Sequence, residues 1–335
     1  MNRFRSVVWL VIGILLTGTS TGVAMGRHPS LYRELQRTAQ TKGWVTLRTE
    51  ALRGVTRIVI GYFDSKSPST PYELAEIEVG QAIGSLTLSP DGRQVAFWKT
   101  AYPSTSHQYP DRLLVMDVDG SNLHEVLHVF SGGSLSWSPD RQKIAFLGHV
   151  SEVEHKESLE QWQWSPMQPV RPVSLYVLDL RTQAVERLVK EDVIELTPQA
   201  WSPTSQQIVY VSVDRQVSSY DLSSLTVRHL AKGVDPTYAP TGDRIAYSKL
   251  NDDDYYLISS DGSNDELFFR NRRTLQYSPV RSPLLWSPDG RFVLYTRIKG
   301  FFSELPTSFI MDTQTKQEER LPQGSYVVAS FGGKP

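Results

Sequence analysis

Residues 124–128 read His-Glu-Val-Leu-His, the pattern by which zinc peptidases set two imidazoles on adjacent turns of a helix. The flanking residues read as strand. On a strand rising about 3.3 Å per residue, His124 and His128 would stand about 13 Å apart, beyond the reach of one ion with bonds of about 2 Å. Gly18-Thr-Ser-Thr-Gly22 spells the Gly-x-Ser-x-Gly nucleophile pattern. That pattern needs a strand–turn–helix context, and here it ends an apolar N-terminal run. Asp91, Asp140 and Asp289 recur like catalytic carboxylates, each directly after a Ser-Pro pair. Proline presets φ for the second position of a turn, and glycine accepts the positive φ that follows. Thr204 and Thr241 replace the aspartate in two further copies, as a structural position permits. His107, His149 and His155, with Glu152, Glu154 and Glu157, fit no metal-ligand spacing, and Asp252, Asp253 and Asp254 lack the alternation of a calcium loop. No metal, cofactor or catalytic residue is expected.

The turns themselves repeat. Their prolines, Pro90, Pro139, Pro203, Pro240 and Pro288, are separated by 49, 64, 37 and 48 residues, a period that marks repeated supersecondary units. Each turn joins a short apolar strand to a second strand with three successive apolar residues, such as Ile144-Ala145-Phe146 or Val293-Leu294-Tyr295. Neighbouring residues of a strand point to opposite faces, so both faces must be covered. A third strand ends at Asp117, Asp179, Asp221, Asp261 or Asp312, and a fourth follows. Four antiparallel strands covered on both faces describe a β-propeller blade. Five units fill about 84–322. The segments within 44–80 could supply three more strands and 326–331 a fourth, which would close the ring and leave no open edge. The expectation is an all-β, six-bladed propeller over 44–335; a seventh blade would need strands hidden in the 149–172 insertion.

The Ser-Pro-Asp-Gly turn, the Ile-Ala-Phe/Tyr strand and the Asp-Gly-Ser-Asn hairpin resemble those of TolB-type periplasmic β-propellers, over roughly residues 84–300. The resemblance implies the fold. Similar repeats also occur in scaffolds, in propeller domains of serine peptidases and in polysaccharide lyases. TolB carries an α/β domain before its propeller. About 20 residues separate the apolar N-terminal run from the first β segment here, so a propeller-only relative is expected.

The chain has 335 residues, 39% hydrophobic and 21% charged, with net charge −1 and no cysteine. No basic field exists to hold nucleic acid, and disulfides and thiolate chemistry are excluded. Arg3 and Arg5, then Val7–Gly18, then small residues up to Ala24 have the order of a secretory signal. Cleavage after Ala24 and an uncleaved membrane anchor over residues 1–24 both fit, and either puts the body outside the cytoplasm. Residues 25–43 read as a short helical linker, with Ser30 as N-cap.

In a propeller, first-to-second and third-to-fourth strand turns share one rim. Here those are tight. The other rim collects residues 99–112, 149–172, 249–254, 270–283 and 299–306. Long loops on a rigid scaffold are where binding concentrates. These loops carry Tyr102, Tyr109, Trp162, Trp164, Tyr277, Phe301 and Phe302, and a basic cluster of Arg270, Arg272, Arg273 and Arg281 opposite Asp252–Asp254. Aromatics with arginine are anchor types of protein interfaces. The aromatics could instead fold inward as a lid, with the charges pairing across loops. The reading is a non-catalytic protein- or peptide-binding module. Its rival is a secreted carbohydrate-active enzyme stacking sugars on the loop aromatics.

Overall fold

A computed structural model describes residues 43–52, 55–64, 67–80, 83–99, 111–118, 120–151, 173–250, 253–272, 274, 277–279, 282–287, 289–299 and 306–320. Every element among them is a β-strand. Blade 1 is β4 (Ile83–Leu88), β5 (Gln94–Lys99), β6 (Asp111–Asp117) and β7 (His124–Val129). Blade 2 is β8 (Ser131–Trp137), β9 (Lys143–His149), β10 (Ser174–Asp179) and β11 (Val185–Arg187). Blade 3 is β12 (Val193–Glu195), β13 (Gln207–Ser212), β14 (Gln216–Asp221) and β15 (Thr226–Lys232). Blade 4 is β16 (Val234–Tyr238), β17 (Arg244–Ser248), β18 (Tyr255–Ser259) and β19 (Glu266–Phe269). In blade 5 the inner strand is split into β20 (Tyr277–Pro279) and β21 (Leu285–Trp286), both paired with β22 (Phe292–Lys299), and β23 (Pro306–Asp312) and β24 (Glu318–Arg320) complete it.

The blade count corrects the sequence reading: the described residues form five four-stranded blades, not six. Residues 43–80 form a separate three-stranded antiparallel sheet, β1 (Gly43–Leu52), β2 (Val55–Asp64) and β3 (Ser67–Gly80), in the order β1-β2-β3. Its strands of 10, 10 and 14 residues are longer than the two- to eight-residue blade strands, and β1 is followed by Arg53-Gly54 where the inner strands of the blades are followed by a Ser-Pro or Ala-Pro pair. The proposed closing strand at 326–331 and the expected helix before residue 43 lie outside the described residues, as does residues 1–24. No helix among the described residues is long and apolar enough to cross a membrane.

The repeated turns are closed by local hydrogen bonds. Gly92 N–H bonds Ser89 O at 2.8 Å, Ser89 N–H bonds Gln94 O at 2.7 Å, and Ser89 Oγ accepts Gln94 N–H at 2.9 Å while donating to Asp91 Oδ1 at 2.7 Å. The same seryl bond to the residue five places on recurs at Ser138, Ser202 and Ser287 (2.9, 3.0 and 2.9 Å). Asp140 and Asp289 also accept their serine hydroxyls, each at 2.6 Å. Gly92 and Gly290, both at φ 67°, occupy the left-handed position the turn demands.

Apolar clusters fill the space between successive blades. Ala96, Trp98 and Leu113 of blade 1 pack on Leu135, Trp137 and Phe146 of blade 2. Leu147 and Leu175 continue into Trp201 and Tyr210 of blade 3, then Tyr238 and Ile258 of blade 4. Ala246 and Tyr255 meet Trp286 and Tyr295 of blade 5. Gly132 lies against the Trp98 indole so closely that a Cβ would fall 2.4 Å from the ring. Inner-strand tryptophans add polar ties backwards to the preceding blade: Trp201 Nε1 donates to Ser136 O (3.0 Å) and Trp286 Nε1 to Thr237 Oγ1 (3.3 Å).

Candidate functional site

Connections between described strands are shorter on one rim than on the other. Facing the tight turns, the second-to-third strand connections run from Lys99 to Asp111, from His149 to Ser174, from Ser248 to Tyr255 and from Lys299 to Pro306. Blade 3 departs from this, closing Ser212 to Gln216 by a turn in which Arg215, at φ 59°, bonds Ser212 O at 2.9 Å. The described residues of the long-loop rim carry two polar centres, one at the junction of blades 3 and 4 and one at that of blades 4 and 5.

The first centre is a carboxyl pair. Glu195 ends β12 and Asp235 is the second residue of β16, so two neighbouring inner strands bring them together. The Asp235 N–H donates to Glu195 Oε1 at 2.6 Å, and Asp235 holds a left-handed backbone at φ 58°. The Glu195 residue keeps partial exposure while its carboxyl is buried. That burial, then the charge of Asp235, pushes the Glu195 carboxyl well above the usual carboxylate range, with Arg215 opposing. Beside them Tyr255 is fully buried, and its hydroxyl donates to Ser282 O at 2.9 Å. Burial raises the Tyr255 phenol, and the Asp235 charge adds to this. A carboxyl raised by burial and by a neighbouring acidic group is disposed to hold its proton.

The second centre is built on Arg297 of β22, 3% exposed. Its Nε donates to Asn271 Oδ1 (2.8 Å) and its Nη1 to Glu318 Oε1 (2.9 Å), and the guanidinium lies over the Phe309 and Tyr295 rings at 4.8 and 5.1 Å. Tyr295 donates its hydroxyl to the other Glu318 oxygen. A buried guanidinium needs such a complete set of partners. Asn271 N–H donates to Asp254 Oδ1 at 2.8 Å, so the blade 4–5 link is tied to the loop before β18. Asn271 Nδ2 is buried and meets no acceptor among the described residues.

Of the residues singled out in the sequence, Arg270 is brought to Asp254 (Nη1 to Oδ2, 3.7 Å), the cross-loop pairing weighed above, and Arg272 is exposed. Tyr277 starts β20. Tyr102, Tyr109, Trp162, Trp164, Arg273, Arg281, Phe301, Phe302, Asp252, His107, His155, Glu152, Glu154, Glu157 and Pro288 lie outside the described residues. His149 is buried, with Nδ1 3.0 Å from Ser131 Oγ. His124 and His128 lie on β7, a strand as expected; His124 Nδ1 contacts Asn122 O at 2.7 Å and His128 Nδ1 stands 3.7 Å from Glu125. Glu195, Asp235, Asn271 and Arg297 were not foreseen. Only Arg297 left a local trace, a cation two residues after the tyrosine of a buried strand.

No protein-family model matches the chain, and no curated protein matches its sequence. Solved structures do match. TolB from Acinetobacter baumannii is similar with a TM-score of 0.58 and 17% identity over 86% of this chain, which spans 64% of that protein's length. A structure assigned as TolB from Agrobacterium tumefaciens gives 0.57 and 15%, over 83% of this chain and 91% of that one. An oligogalacturonate lyase from Vibrio parahaemolyticus gives 0.53 and 13%, over 81% and 75%. At these identities the likeness speaks for architecture alone. With the five blades and their Ser-Pro turns, it establishes that the chain has the TolB-type β-propeller fold.

Proposed function

We propose that the chain is an exported, non-catalytic β-propeller that binds a protein or peptide through its long-loop rim. The asymmetry of the rims carries the reading: hydrogen-bonded turns on one side, and on the other long connections from four of the five described blades. The exposed Arg272 and the Arg270–Asp254 pair give that side charged groups suited to an interface margin. Export rests on the basic, apolar and small segments of residues 1–24. The test is a pull-down from cell-envelope extract with the full chain, repeated after Trp162→Ala and Trp164→Ala. A partner recovered by the native chain and lost from the double variant supports the reading; undiminished recovery counts against it.

A second reading, a carbohydrate-active enzyme, is favoured by the Glu195–Asp235 pair and by the fold it shares with oligogalacturonate lyases, one of them solved with manganese. The described residues hold no group of three or more His, Asp or Glu placed to hold an ion, so no step through a metal is derived for this chain. Release of unsaturated sugars from oligogalacturonate, lost in Glu195→Gln, would replace the binding reading with this one.

A further inference from the structure

Each blade ends in an outer strand that pairs on one side only among the described residues. Such an edge offers unpaired N–H and C=O groups to any extended chain, and proteins blunt it by shortness or by charge. Four of the five outer strands fit that habit. β11 and β24 have three residues and β19 four, and β7, β11, β19 and β24 each carry a glutamate. β15 differs in length and in the sign of its charge, carrying Arg228 and Lys232, and its pairing with β14 shifts register between His229 and Ala231. It has seven residues, Thr-Val-Arg-His-Leu-Ala-Lys, with no carboxylate.

The side of β15 turned to blade 4 opens on a cleft of ≈510 Å³, lined by Leu230 and Lys232 of β15 and by Tyr247, Lys249 and Ile258 of blade 4. Arg228 marks the same side: its Nη1 donates to the Asp261 carbonyl in the blade 4 hairpin at 3.1 Å. Lys232 meets Asp214 at 3.2 Å and Lys249 meets Asp265 at 2.7 Å, both lysines staying partly exposed. The other side of β15 leaves Val227 41% exposed, next to Leu225 at 66%.

Blade 5 shows what is missing here. There a tyrosine, a cation two residues on and a carboxylate at the start of the fourth strand (Tyr295, Arg297, Glu318) are sealed by Asn271 from the inter-blade link. Blade 4 repeats the trio as Tyr247, Lys249 and Asp265, with Tyr247 donating to Asp265 at 2.9 Å. The preceding link carries Gly233, where a Cβ would stand 2.5 Å from Ser248 O, so no side chain can reach Lys249 from it.

We propose that the outer edge of blade 3 accepts an extended acidic peptide from a partner as a fifth strand, its backbone paired with β15 and its carboxylates turned to Arg228, Lys232 and Lys249. Backbone pairing supplies the affinity, and the cations select acidic side chains. This surface meets the long-loop rim at Lys249, but the strand pairing it proposes is made by the outer edge of blade 3 and not by the rim loops.

The probe is a fluorescein-labelled peptide of alternating Glu and Val, titrated against the full chain by fluorescence anisotropy. A second peptide of equal charge carries N-methyl groups at alternate residues, and an all-Lys/Val peptide serves as the reversed-charge control. Saturable binding of the first, weakened about tenfold or more by N-methylation and by Arg228→Glu with Lys249→Glu, is expected. Arg228 and Lys249 are accessible, and circular dichroism checks that the variant folds. No binding at about 1 mM, where the interaction free energy would be under about 4 kcal/mol, overturns the proposal. So does equal binding of the N-methylated peptide, which would mean charge attraction without strand pairing. Concentration-dependent dimers abolished by Arg228→Glu would assign the edge to a second copy and overturn it likewise.

Discussion

Single residues divide here by how far their partners lie along the chain. The turn aspartates were legible because their chemistry is local: Asp91, Asp140 and Asp289 bond a serine two residues back. Glu195 and Asp235 were not, since 40 residues separate them and only the packing of two inner strands joins them. That pair makes a definite pH prediction. The raised Glu195 carboxyl binds its proton more tightly in the native than in the unfolded chain. Its contribution is therefore complete below the ordinary carboxylate range and is lost as pH rises through the raised native value. Carboxylates held low, such as Asp91 through Ser89 and Arg141 against the opposing effect of burial, act in the reverse sense as pH falls. The difference between wild type and Glu195→Gln isolates the pair. Thermal midpoints should fall with rising pH more steeply in wild type than in the variant. Parallel curves would mean that Glu195 does not hold its proton in the native chain.

At the scale of the element, sequence pattern was a sound guide wherever it repeated. The strand placed over His-Glu-Val-Leu-His is β7, and the turn copies all form the same hydrogen-bonded loop. Their one departure can be tested. Ser89, Ser138, Ser202 and Ser287 accept a backbone N–H five residues on, whereas blade 4 has Ala239 at that place. Ala239→Ser should stabilise the chain by about 1 kcal/mol, and Ser287→Ala should cost about the same, typical of one net hydrogen bond. Urea denaturation of the two variants checks both. Ala239 is 6% exposed, so a destabilised Ala239→Ser would show the hydroxyl buried without a partner and the turns not equivalent.

For the whole molecule, the repeat announced a propeller, but the count went astray at the segment that does not repeat. Residues 43–80 alternate like blade strands yet have no Ser-Pro pair after their first strand, and their three long strands pair with one another. Apolar pattern says that a sheet forms; it does not say which sheet a strand joins. Nor does it reveal contacts that skip a blade. Gln199 of blade 3 reaches past blade 4 to blade 5, its Nε2 donating to Trp286 O at 3.2 Å and its Oε1 accepting Trp286 N–H at 2.8 Å. Tyr238 N–H of blade 4 donates to the Gln199 carbonyl at 3.1 Å, so one residue ties the inner strands of three blades. This matters because β21 is only two residues long and the inner strand of blade 5 is split. Gln199→Leu keeps the volume roughly constant but removes the two bonds that Gln199 makes to the Trp286 backbone, which should cost about 2–3 kcal/mol. Blade 5 should then open before the rest, visible in hydrogen exchange as protection lost first over 285–299. Gln206→Leu, at an exposed position beside the blade 3 turn, is the matched control and should leave both stability and exchange unchanged. If Gln199→Leu exchanged and unfolded like that control, the inner strands would be held by side-by-side packing alone, and Gln199 would bind no blade to another.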